Sequence, residues 1–77
     1  MCTQREFDDI YKVLRKEKLV KVQPLDSNLF VGIEVKDILD GILRLKFLGF
    51  ARSINYLNGD EAVEITNQGK NMYNVIY

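Results

Sequence analysis

The 77-residue chain has no histidine, one cysteine, one proline and no net charge. Each scarcity excludes something. Without histidine the usual general base and the commonest metal ligand are missing. There is also no Gly-rich phosphate loop and no metal-ligand spacing. Only the paired carboxylates Asp8 with Asp9 and Asp60 with Glu61 remain as candidate chemistry. They fall at a helix start and in a turn, where they read as solvated caps. No enzymatic activity, cofactor or metal site is expected. The lone Cys2 can make neither an internal disulfide nor a zinc site, and it lies in a terminus expected to fray, so a reducing compartment follows. No apolar run is long enough for a signal peptide or a membrane span, which leads to the expectation of a cytoplasmic protein without membrane contact. Eleven Lys and Arg balance eleven Asp and Glu, so any affinity for nucleic acid must come from local clustering.

What is present describes one small α+β domain over residues 1–77. Hydrophobic residues make up 47 % and charged residues 29 %, a globular balance. A chain of this length buries only roughly 60 to 65 % of its unfolded surface, so the core is marginal. Phe7, Ile10, Tyr11 and Leu14 recur at three and four residues and predict a helix over 4–18, opened by a Thr3–Glu6 capping box. Acidic residues crowd its start and Lys12, Arg15, Lys16 and Lys18 its end, in keeping with the macrodipole. With Lys21, these cations form either a solvated outer face or a patch for phosphates or an acidic partner. Leu19 to Val22 alternates weakly before Pro24 and predicts a short strand beside a later hairpin. Leu29 to Ile33 predicts one short helical turn.

The next helix is expected over 34–48. A helical wheel places Val35, Ile38, Leu39, Ile42, Leu43 and Leu45 on one broad apolar face, and Lys36, Asp37, Asp40, Gly41 and Arg44 on the other. Lys36 with Asp40 and Asp40 with Arg44 stand at ion-pair spacing. Gly41 leaves a shallow gap on the polar face. Gly49 is expected to end the helix, with Phe50 covering the last turn. Beyond it the period becomes two around Asn58-Gly59, the strongest short-range hairpin signal. A two-residue loop there sets Leu57 against Asp60, Ile54 against Val63 and Arg52 against Ile65, with Ile54, Tyr56, Val63 and Ile65 on one face. Thr66 then caps a last helix over 67–76, carrying a stripe of Met72, Tyr73 and Ile76. Gly69 stands where a capping box would have Glu or Gln, and close packing is the simplest reason.

The helix ending Leu45-Lys46-Phe47-Leu48-Gly49-Phe50, the hairpin, and then Val63-Glu64-Ile65-Thr66-Asn67-Gln68-Gly69 resemble the winged helix-turn-helix superfamily. The match is nearest to the multiple-antibiotic-resistance-type and phenolic-acid-decarboxylase-type (MarR/PadR-type) regulators, over a little more than half the chain. The resemblance implies a winged helix: a helical core, a two- to three-stranded antiparallel wing hairpin and a C-terminal helix. It implies a homodimeric transcription regulator that binds DNA. Lys36, Asp40, Gly41, Arg44, Arg52 and Asn58 would then face DNA, Lys12, Arg15 and Lys16 would reach flanking phosphates, and Met72, Tyr73, Ile76 and Tyr77 would form the dimer contact. The sequence departs from the pattern in two respects. The space between Val22 and Glu34 is too short for a full second helix, and the exposed stripe mixes both charge signs where DNA readers present Arg, Lys, Gln, Asn, Ser or Thr. A winged-helix module that binds another protein instead is therefore the alternative.

Overall fold

The computed structural model describes the backbone of residues 2–76 and the side chains of residues 2–71. Among these, three α-helices and one antiparallel sheet follow in the order α1 (Gln4–Glu17), β1 (Leu19–Gln23), a single 3-10 turn (Ser27–Leu29), α2 (Val35–Phe47), β2 (Ala51–Asn55), β3 (Glu61–Ile65) and α3 (Asn67–Ile76). The sheet order is β1-β3-β2, so the strand before α2 returns to flank the hairpin that follows it.

Local chemistry accounts for most of the boundaries. Thr3 accepts from the Glu6 N–H at 3.1 Å while the Glu6 carboxylate accepts from the Thr3 N–H at 2.9 Å, the expected reciprocal cap of α1. Gly49 ends α2 at φ +82°. There the Gly49 N–H donates to the Lys46 carbonyl at 3.0 Å and the Phe50 N–H to the Leu45 carbonyl at 2.9 Å, a paired motif that satisfies the last open carbonyls. Thr66 caps α3 by accepting from the Gly69 N–H at 3.1 Å. The short helical turn lies at Ser27–Leu29, slightly earlier than the apolar run 29–33 suggests, because Phe30 leaves the turn to enter the core.

The core gathers Phe7, Ile10, Tyr11 and Leu14 from α1, Val20 from β1, Ile38, Ile42 and Leu45 from α2, and Ala51, Val63 and Ile65 from the sheet. Tyr11 is 2 % exposed, stacks on Phe50 at 5.8 Å between centroids, and donates its hydroxyl to the Gly69 carbonyl, which ties α1 to the start of α3. Cys2 is buried in this cluster at 6 % exposure, against the expectation of a fraying end. The α1 capping box fixes the entering chain, so the thiol packs beside Gly41.

Four expectations for α2 and the hairpin are corrected. Gly41 is buried rather than exposed: a Cβ built there would meet Ile10 Cδ1 at 2.5 Å, so α1 crosses α2 where the side chain is missing. The buried arc of α2 is thereby rotated onto Ile38, Gly41, Ile42 and Leu45, and Val35, Leu39 and Leu43 turn outward. Among the described residues, Lys36–Asp40 and Asp40–Arg44 are not among the ion pairs formed. Lys36 turns back to Glu34 at 4.0 Å, and the Arg44 guanidinium lies over the Phe7 ring at 4.3 Å.

The hairpin register differs by one residue. Arg52 stands opposite Glu64, Ser53 opposite Val63 and Ile54 opposite Ala62. The Gly59 N–H donates to the Tyr56 carbonyl at 3.0 Å and the Tyr56 N–H to the Asp60 carbonyl at 2.9 Å, which leaves Leu57, Asn58 and Gly59 as a three-residue loop. A two-residue mirror-image turn needs positive φ at both Asn58 and Gly59, and only Gly59 adopts it, at +92°. The Asn58 side chain instead accepts from the Asp60 N–H at 3.0 Å, which favours the longer loop. The one-residue slip exchanges faces. Ile54 now shares the outer face with Arg52 and Glu64, while Ala51, Val63 and Ile65 face the core.

Candidate functional site

The outward side of α2 is built from two parallel rows. In a helix, residues four apart stack along one ridge. Val35, Leu39, Leu43 and Phe47 form such a ridge, exposed at 52, 43, 59 and 92 %. Leu48 extends it beyond the helix end, also about half exposed. Leu43, Arg44, Phe47 and Leu48 line a recess of about 300 Å³. Beside the ridge run Lys36, Asp40 and Arg44. A guanidinium over an aromatic ring is attracted to its face, and Arg44, itself exposed, holds that position between α2 and Phe7 of α1.

The hairpin contributes charge that is already matched. Arg52 pairs with Glu64 directly across the strands. Lys46 lies 3.8 Å from the Glu61 carboxylate and donates to the Ser53 hydroxyl at 3.1 Å. Lys21 of β1 meets Asp60 at 2.6 Å. The hydrogen bond from Lys21, with its charge, holds the Asp60 carboxyl below the ordinary aspartate range, and the same bond raises the Lys21 ammonium above the ordinary lysine value. Asn58 is spent on the loop, through the Asp60 N–H. A second, polar hollow of about 410 Å³ lies among Arg52, Glu64, Thr66, Asn67 and Lys70, and of the two cations lining it Arg52 already holds Glu64.

Set against the sequence-based candidates, the structure brings Lys36, Asp40 and Arg44 onto one face of α2 and takes Gly41 off it. Arg52 lies on the outer face of the sheet beside its carboxylate partner. Arg15 donates to the Lys70 carbonyl and joins α1 to α3. Lys12 and Lys16 are exposed on α1. The dimerisation candidates Met72, Tyr73, Ile76 and Tyr77 lie outside the described side chains. The sequence reading missed the exposed ridge itself. Its signal was the four-residue recurrence that ends at Phe47, which a single apolar face on the wheel conceals. Among the described residues no helix is long and apolar enough to cross a membrane, and no cluster of His, Cys, Asp and Glu could hold a metal ion. Comparison with protein-family models, characterised proteins and solved structures finds no match to this chain.

Proposed function

We propose that this chain is a winged-helix protein-interaction module whose docking surface is the outer face of α2. The element order and the β1-β3-β2 sheet are compatible with that fold, with α2 in the place of the recognition helix and β2–β3 as the wing. The observation that carries the reading is the ridge of Val35, Leu39, Leu43 and Phe47, solvent-facing where a DNA reader presents polar side chains. Covering a fully exposed Phe such as Phe47 is worth roughly 1.5–3 kcal/mol and each half-exposed Val or Leu about half as much, so a partner seated along this ridge has several anchors in one row. Phosphate approaching the same surface would meet Asp40 between Lys36 and Arg44 on α2, and on the wing the cations Lys46 and Arg52 are already engaged by Glu61 and Glu64.

One observation favours the second reading, a homodimeric DNA-binding regulator: Lys12 and Lys16 project from α1 with no acidic partner among the described residues. Titration of a fluorescent duplex at about 50 mM salt separates the two, because even non-specific DNA binders are tight there. The interaction module shows no binding. Binding that weakens with Arg44→Ala and Arg52→Ala, with a log–log salt slope near −4 to −5 for two or three cations per subunit of a dimer, overturns it. Binding lost only with Lys12→Gln and Lys16→Gln supports the second reading through α1.

A further inference from the structure

We infer that the partner of the α2 face is a second copy of this chain, packed antiparallel, α2 on α2, about a two-fold axis; the inference rests on reading that face as a protein-docking surface. Four observations point to a copy rather than to an unrelated protein. The ridge is evenly spaced about its midpoint between Leu39 and Leu43. A two-fold axis there sets Leu39 against Leu43 of the other copy and Val35 against its Phe47, the smaller side chain opposite the larger at both ends. The contact is closed, since both copies use the same patch.

Charge selects the direction. Beside the ridge stand Lys36, Asp40 and Arg44, with Asp40 on the N-terminal side of the midpoint and Arg44 on the C-terminal side. Antiparallel packing brings Asp40 of each helix near Arg44 of the other and opposes the two macrodipoles. Parallel packing would lay like on like.

The ridge can also supply the apolar core of an interface. The exposed parts of Val35, Leu39, Leu43, Phe47 and Leu48 amount to roughly 500 Å², at the upper end of what a typical monomer leaves open, and a stable interface takes about 800 Å² from each partner once its polar rim is counted. The helix is about 20 Å long, enough to carry that contact. Finally, the formal net charge of zero means that two copies approach without long-range repulsion.

Sedimentation velocity over about 1–200 µM tests the assembly, with far-UV circular dichroism confirming that each variant is folded. The wild type is expected to dimerise. Leu43→Asp and Phe47→Asp, both at solvent-facing positions, should each weaken the dimer by at least about 100-fold while leaving the helical spectrum unchanged. In a Cys2→Ala background, a mixture of Leu39→Cys and Leu43→Cys proteins should cross-link to each other faster than either links to itself. Three results overturn the inference: a monomer throughout the range, a dimer indifferent to both Asp variants, or Leu43→Cys linking fastest to itself. A monomer that also fails to bind DNA removes the second copy and leaves the docking face standing. Duplex binding that depends on Arg44 and Arg52 removes the docking reading itself.

Discussion

Replacing Gly69 by alanine should destabilise the protein, although alanine is the better helix former. The built Cβ falls 2.4 Å from the Phe50 carbonyl oxygen and 2.9 Å from Ile65 Cγ1, whereas comfortable contacts lie near 3.5 Å or beyond. The obstacle is backbone and it is fastened. The Phe50 carbonyl accepts from the Thr66 N–H at 2.9 Å, and the Thr66 hydroxyl donates to the Gly49 carbonyl at 2.7 Å. The Tyr11 hydroxyl holds Gly69 from the other side through its carbonyl. Helix propensity returns at most about 1 kcal/mol, and overpacking of this kind costs about 1–3 kcal/mol or more. With the capping bonds strained as well, the net loss should be about 2 kcal/mol, a fall of roughly 10 °C in the melting temperature for a domain of this size. Thermal unfolding followed at 222 nm is the assay. Asn71→Ala, at an exposed position of the same helix, is the control and should stay within about 0.5 kcal/mol of wild type. Gly41→Ala provides a second comparison. Its clash is with the far end of the Ile10 side chain, which can turn aside, so it should cost less than Gly69→Ala. An unchanged or higher melting temperature for Gly69→Ala would refute the close joint between α3 and the α2–β2 corner.

Two further outcomes follow from the hairpin. Gly59→Val places a β-branched residue at φ +92° with open space around it, so only backbone strain acts; it should cost about 1–3 kcal/mol in chemical denaturation, and no shift in midpoint would place Gly59 elsewhere in the loop. The Lys21–Asp60 pair sets a pH window. Asp60 is depressed, so its contribution is complete above the unfolded aspartate value near 4 and fades as pH falls through the lower folded value. Lys21 is raised, so its contribution is complete below the unfolded lysine value near 10.4 and fades as pH rises through the higher folded one. Lys21→Gln should therefore lower the melting temperature at pH 7 and differ less from wild type at pH 2.5; an undiminished gap at pH 2.5 would show that the ion pair is not its cause.

Much of this architecture could be read from the chain because it depends on short-range chemistry. The Thr3–Glu6 box, the Gly49 end of α2 and the Thr66 cap each involve residues within a few positions, and each stands where the pattern predicts. The tight fit at Gly69 was also legible, since the chain forgoes a capping side chain there. Three features were decided only when distant segments met. The hairpin register turned on whether Asn58 would take positive φ or bond the Asp60 N–H, a choice between nearly equal local options that the partner strands resolve. Gly41 has no side chain to vote on a wheel, so only the approach of Ile10 from α1 shows that its side of the helix is buried. That approach rotates the buried arc and leaves Val35, Leu39, Leu43 and Phe47 in water. Periodicity told that α2 had an apolar side; which part of that side is covered depended on where α1 lies, because hydropathy records what a residue prefers and not which neighbour reaches it.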